Sequence, residues 1–307
     1  MRRYRMILRG FVYLVLACFH VSQVQAEPPR GQTVEQKYPG LATHILASAR
    51  LTPMEKGVLL KSDGIEVREA VLKKGIEKAE PAVRPQLEKH LFFLLEQETM
   101  KRLLVREARN VSISTDGLID EQAIQAYLNQ VVQGAKVSDG EAKAFYEENK
   151  EIVGGMPFEK VREGIREILL QKKRRNLTDS HIKELIQKAH IRINESWVKA
   201  QYSLAMDNPV DRARMSGKPT MVEFGAKGCI PCDMMQPILD NLRKKYPDKL
   251  NVVFVHVGEK QVLGARFGIR VIPVQVFFDK NGEEVFRHEG FYPEAEVTKQ
   301  LLKLGVT

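Results

Sequence analysis

The sequence predicts a two-domain α+α/β protein, with an all-helical domain over residues 51–200 and an α/β domain over residues 217–307. Three observations carry this expectation. Apolar residues recur at helical spacing through the first half. From about residue 217, short apolar strands alternate with helices. Between those strands lies Cys229-Ile230-Pro231-Cys232, a paired-cysteine motif placed where a strand feeds a helix. With 307 residues, 43% of them hydrophobic and 28% charged, the chain has apolar material for two ordinary cores.

The first 26 residues read as a secretion signal. Arg2, Arg3, Arg5 and Arg9 precede an apolar run from Phe11 to Phe19, and Val24-Gln25-Ala26 offers a small-residue cleavage site. The run is about half the roughly 20 residues that a membrane-spanning helix needs. Cleavage there implies a periplasmic or otherwise exported protein. Val15-Leu16-Ala17-Cys18 keeps open an alternative, a lipoprotein tethered through Cys18. The net charge of +9 includes the four signal arginines, leaving +5 for residues 27–307. Mild basicity of that size, spread over helices of mixed sign, is a solvation feature and argues against a nucleic-acid partner.

Residues 27–50 carry Pro28, Pro29, Gly31, Pro39 and Gly40, and read as a flexible leader. A strand-like stretch, Gly57 to Leu60, is followed by the turn signal Lys61-Ser62-Asp63-Gly64. Four amphipathic stripes follow: Leu87, Leu91, Leu94 and Leu95; Ile124, Tyr127, Leu128 and Val131; Phe158, Val161, Ile165, Ile168 and Leu169; Ile182, Leu185, Ile186 and Ala189. All are expected in the core. Ser138-Asp139-Gly140-Glu141 has the spacing of a capping box and predicts another helix start. Residues 201–216, with Asp207-Asn208-Pro209, read as a linker.

In the second domain, Pro219 to Phe224 predicts a strand, Cys229 opens a helix reaching about Tyr246, and Leu250 to Val257 predicts a strand buried on both faces. Gln275–Phe278 and Glu284–Arg287 flank Asp279-Lys280-Asn281-Gly282, a hairpin turn. Pro293 starts a last helix. Once the signal is removed, Cys229 and Cys232 are the only thiols, so sulfur is kept for a reaction and not for stapling the fold. The N-terminus of a helix favours thiolate over thiol, and cysteines in such motifs have pKa values of about 3.5 to 7.5. Cys229 is the expected nucleophile. Cys232, about one turn later, is the expected resolving thiol. Pro231 suits the first helical turn, where its missing N–H has no partner to lose. A zinc knuckle would need a second cysteine pair, and neither His256 nor His288 has ligand spacing to this one.

These residues resemble the thioredoxin superfamily over about Gly217 to Val306. Val222-Glu223-Phe224, with the turn Gly225-Ala226-Lys227-Gly228 and the cysteine motif, is similar to that family's strand and active-site turn. Gly268-Ile269-Arg270-Val271-Ile272-Pro273 is similar to its cis-proline loop. The resemblance implies a cis bond at Ile272-Pro273 beside the disulfide, and backbone pairing of Ile272 with an extended substrate segment. Ile272, Ile230 and Pro231 are thus the expected substrate-contacting residues. Glu223 falls at the buried acid that relays a proton for Cys232, the alternative being an ordinary strand-edge acid. Gly225 and Gly228 stand where thioredoxin has tryptophans, and Phe254 replaces a lysine that accompanies the buried acid. The Cys-x-Pro-Cys dipeptide leans toward reduction or isomerisation and away from strong oxidation.

The helical half resembles the N-terminal chaperone domain of SurA-like periplasmic folding factors. Asp63-Gly64-Ile65-Glu66-Val67, the phrase from Lys136 to Lys150, and Phe158-Glu159-Lys160-Val161 with Ile165 to Leu170 carry that resemblance. The parvulin isomerase domain that many relatives hold between the last two phrases is absent here. The expected partners are unfolded or disulfide-containing client proteins and a protein electron donor, membrane-embedded. No metal, nucleotide or flavin motif is present, so no cofactor is expected. Two alternatives stay open: an inert helical spacer or dimerisation bundle, and a partner-binding protein whose thioredoxin fold is redox-inactive.

Overall fold

A sheet interrupts the half of the chain expected to be all helical. The computed structural model describes residues 31–43, 45–111, 118–150 and 154–307; the expected signal, Cys18 and residues 27–30 lie outside them. A short helix, α1 (Val34–Lys37), leads to β1 (Arg50–Thr52), β2 (Val58–Ser62) and β3 (Ile65–Arg68), and β4 (Arg192–Asn194) returns from the far end of the domain. They form a four-stranded sheet in the order β1-β4-β2-β3. The expected turn makes a hairpin with Ser62 opposite Ile65, and Gly64 supplies the positive φ of 71° that its tight loop requires. The remaining strands are only three or four residues long, too short for alternation to register in the sequence.

The leader is corrected as well. From Thr33 onward it is built into the core: Val34, Leu41 and Leu46 are buried with Leu60, Phe92, Leu95 and Ile193. Pro39 and Gly40 do turn the chain, but the apolar residues around them outweigh the turn formers, since each buried Val or Leu side chain stabilises by about 1.5–3 kcal/mol.

The helices are α2 (Glu69–Lys78), α3 (Arg84–Lys89), α4 (Leu91–Asn110), α5 (Asp120–Val131), α6 (Asp139–Glu148) and α7 (Phe158–Lys188). Helix α6 starts at the expected box: Ser138 Oγ accepts the Glu141 N–H at 3.2 Å, and Glu141 Oε2 accepts the Ser138 N–H at 2.9 Å. The last two stripes are one helix, not two. No glycine or proline separates Leu170 from His181, so α7 continues for 31 residues, about 46 Å. Its first half packs on α6 through Phe158, Val161, Ile165 and Leu169, and its second half on α5 through Ile182 and Leu185. Ile168 is not core. It is 58% exposed, because one residue of helical rotation turns it about 100° from Leu169.

The expected linker is a packed joint. Helices α8 (Glu195–Met206) and α9 (Pro209–Arg214) fill it, and Val210 and Asp211 are completely buried. Asp211 accepts hydrogen bonds from Asn208, from Arg214 Nε at 2.7 Å and from the buried Arg266. Arg266 also donates to the Gly40 carbonyl at 3.0 Å, tying the N-terminal segment to the second domain. Gln86 of α3 adds a second tie, donating to the Glu259 carbonyl at 3.0 Å.

The second domain follows the expected order: β5 (Thr220–Gly225), α10 (Ile230–Lys245), β6 (Asn251–His256), α11 (Gln261–Arg266), β7 (Val274–Phe278), β8 (Glu284–Glu289) and α12 (Glu294–Lys303). The sheet runs β6-β5-β7-β8, with β5 parallel to β6 and antiparallel to β7. Met235, Leu239, Val297 and Leu301 of α10 and α12 cover one face; Val210 and Leu263 of α9 and α11 cover the other. Strand β6 is an edge. Its alternate side chains do meet both layers, but the open flank leaves only Val255 buried, which apolar continuity could not reveal.

Candidate active site

Strand β5 is completely buried and ends at Gly225. Ala226, Lys227 and Gly228 turn the chain, with Gly228 at a φ of 78°, and Cys229 becomes the N-cap of α10. Pro231 lies in the first turn, as its missing N–H allows. Cys229 and Cys232 form a disulfide with their Cα atoms 5.2 Å apart. The two sulfurs differ in access. Cys229 is half-buried, whereas Cys232 is 4% exposed beneath it.

The opposite wall comes from the loop before β7. The Ile272-Pro273 peptide bond is cis. Phe224 pairs with Val274, so the antiparallel register carried one residue further brings Gly225 opposite Pro273. Gly225 is also where Cys232 lies: a Cβ built on it would stand 3.4 Å from Cys232 Sγ. The cysteine motif and the proline loop therefore meet at one end of the sheet. Pro273 is buried, Ile272 is half-buried, and Ile230 projects at 75% exposure with Val271 at 51%. The rim is apolar and open.

Glu223 is inside the protein and not at a strand edge. It is completely buried on β5, the strand between β6 and β7. Burial raises its pKa from 4.5 to about 7, partly opposed by a hydrogen bond from Gln275 Nε2 at 2.9 Å. A carboxyl so placed can change protonation near neutral pH. Its Oε1 and Gln275 Oε1 have no hydrogen-bond partner among the described residues.

Two residues of the site escape sequence reasoning. Gln275 reads only as part of a hairpin strand; the register that sets it opposite Glu223 is a property of the folded sheet. His256 closes β6, and its Nε2 accepts the Lys227 N–H at 3.3 Å, bracing the turn before Cys229. The two departures Gly225 and Phe254 prove to be one event. A Cβ on Gly225 would come within 3.1 Å of Phe254 Cε2, so the glycine makes room for the ring. Among the described residues no group of three His, Cys, Asp or Glu side chains could hold a metal ion.

The helical half touches this end of the sheet. Arg175, near the middle of α7, pairs at 3.5 Å with Glu289 at the end of β8. Glu289 is the register partner of Val274, and the adjoining Gly290 N–H donates to the Pro273 carbonyl at 2.8 Å. One helix of the first domain thus reaches the strand beside the cis-proline.

A family model described as a thioredoxin-like domain matches residues 206–305. Thioredoxin from Alicyclobacillus acidocaldarius is 34% identical over 95 residues, which are 31% of this chain and 90% of that protein. Thioredoxin 1 from Nostoc sp. is 34% identical over 88 residues, 29% of this chain and 81% of its own length. A solved mutant thioredoxin from Halobacterium salinarum aligns at 26% identity with a TM-score of 0.29, covering 32% of this chain and 83% of that one. The family model and the two thioredoxin sequences point to a thiol–disulfide oxidoreductase fold around Cys229 and Cys232. Through its C-terminal domain, the chain belongs to the thioredoxin family.

Proposed function

We propose that this chain is an exported thiol–disulfide oxidoreductase that reduces or isomerises disulfides of client proteins held by its helical half. The observation that carries the reading is the asymmetry of the disulfide: a reachable Cys229 at the head of α10 over a shielded Cys232, both beside cis-Pro273. The N-terminus of α10 favours a thiolate at Cys229. In the reduced protein that thiolate attacks one sulfur of a client disulfide; an S–S bond to Cys229 forms and the client's second sulfur leaves as thiolate. Cys232 then gives its proton to Glu223, attacks Cys229 Sγ and releases the client's other sulfur. The client gains two electrons, and the protein is left with the Cys229–Cys232 disulfide. A dithiol protein, membrane-embedded, restores the reduced state. Ile230, Pro231 and the Ile272 backbone contact the client segment.

The SurA-like resemblance supports a client-holding role for residues 51–200, and the signal sequence supports the periplasm. Holding a client beside Cys229 raises its effective concentration at the thiol. The hydrogen bonds that Arg214 and Arg266 of the second domain donate to the Gly40 carbonyl of the N-terminal segment support that reading. Cys232→Ser is the test. In cells expressing it, client proteins are expected to accumulate as mixed disulfides on Cys229, separable by non-reducing electrophoresis. A variant that accumulates none contradicts catalysis and leaves a binding protein.

A further inference from the structure

Two buried oxygens of the second domain lack partners, and their side chains are already joined. Glu223 and Gln275 face each other across β5 and β7, both completely buried. Gln275 Nε2 donates to Glu223 Oε2 at 2.9 Å, yet Glu223 Oε1 and Gln275 Oε1 have no hydrogen-bond partner among the described residues. An unpaired buried oxygen is costly. A carboxylate and an amide oxygen are both acceptors and cannot satisfy each other, whereas a carboxylic acid donates its O–H to the amide oxygen. One proton on Glu223 Oε1 would supply the missing partner of both.

The surroundings point to where that proton comes from. Side chains alternate along β5, so Met221, Glu223 and Gly225 share one face. Met221 packs with Met235 and Leu239 of α10, and a Cβ on Gly225 would stand 3.4 Å from Cys232 Sγ. Glu223 therefore lies on the sheet face that carries Cys232. Its register partner on β6 is Phe254, so its two cross-strand neighbours are an apolar ring and an amide. Burial raises the Glu223 pKa to about 7 against the Gln275 bond, which puts both protonation states within reach near neutral pH.

We propose that Gln275 is the positioning residue of the resolving step: by binding Glu223 Oε2 it presents Oε1 to Cys232, and its own Oε1 then holds the proton that arrives. This rests on the oxidoreductase reading above. In that step the S–H proton of Cys232 moves to Glu223 Oε1 and the Cys232 sulfur forms the S–S bond to Cys229. The bond from Cys229 to the client breaks, its electron pair leaving on the client sulfur. The disulfide form keeps the proton between the two Oε1 atoms, as an acid–amide pair with two hydrogen bonds. In the dithiol form Glu223 is ionised and retains the single bond from Gln275 Nε2.

The test compares the full chain with Gln275→Leu, Glu223→Gln and the double variant, each reduced and mixed with an aromatic disulfide whose thiol is coloured. Two thiols appear in sequence, the first from attack by Cys229 and the second from release by Cys232. In Gln275→Leu the ratio of the second rate to the first is expected to fall about tenfold or more. The double variant is expected to be no slower in release than Glu223→Gln, because groups that act as a unit are not additive. Infrared spectra of the oxidised chain at about pH 6 read the pair without exchange. A protonated-carboxyl band that disappears in Glu223→Gln is expected to move to higher frequency in Gln275→Leu. Gln275→Met, unbranched like glutamine, replaces the leucine variant if that one does not fold. An unchanged ratio, additive slowing in the double variant, or the absence of the band in the parent overturns the proposal. A parent chain that releases neither thiol while the band shifts as expected sinks the oxidoreductase reading and leaves the acid–amide pair in place.

Discussion

Replacing Glu223 by Gln should make the protein more stable, and only above mildly acid pH. Burial holds this carboxyl at about 7 in the folded state, against an ordinary value of 4.5. Below about pH 4.5 the acid is protonated whether the chain is folded or not, and it costs nothing. Between about 4.5 and 7 the unfolded chain releases a proton that the folded chain keeps, so stability falls by about 1.4 kcal/mol per pH unit. Above about 7 both states are ionised and the whole penalty, about 3 kcal/mol, persists. Glutamine removes the titration while keeping the shape and an amide for Gln275 to meet. The variant should therefore gain about 3 kcal/mol over the parent at pH 8.5 and less than about 0.5 kcal/mol at pH 4. Urea unfolding of both oxidised proteins at the two pH values, followed by circular dichroism, measures the difference. A gap of the same size at both pH values would refute the assignment of a high-pKa buried acid to this position. On the proposed mechanism, the same substitution should also slow release of clients from Cys229, because it removes the proposed acceptor for the Cys232 proton.

Two further outcomes test the packing around the site. Asp211→Asn leaves the buried Arg266 without its counter-ion and should cost about 3–5 kcal/mol of stability in urea unfolding; a loss under about 1 kcal/mol would mean the joint does not depend on this pair. Gly225→Ala places a methyl about 3.1 Å from Phe254 Cε2 and should cost about 1–3 kcal/mol, partly recovered by Phe254→Leu in the same chain. An unchanged melting temperature for Gly225→Ala would show that the ring yields freely.

Much of the second domain was legible because its signals are local. Cysteine spacing, Pro231 in the first helical turn and the turn at Asp279–Gly282 each act over a few residues, and each element lies where those signals put it. The errors cluster where identity is set by partners far along the chain. Three-residue strands in the first half are held by pairing Leu51 with Ile193, across most of the domain. The segment around Asn208 reads as a linker, yet Asp211 is buried because Arg266 arrives 55 residues later. Long-range pairing of this kind leaves no periodic trace.

The sequence by itself determined the chemistry on offer: two thiols one helical turn apart, a proline loop, and an acid on the strand leading to them. Tertiary structure decided which of these groups meet and in what state. Strand register placed Gln275 against Glu223, the enclosing layers moved that acid's titration toward neutrality, and Arg266, buried against Asp211, met the Gly40 carbonyl of the N-terminal segment. The physical reason is one of range. Helix starts and turns are set by neighbours in the chain, whereas burial, and with it charge state and access to sulfur, is a sum over residues that only folding brings together.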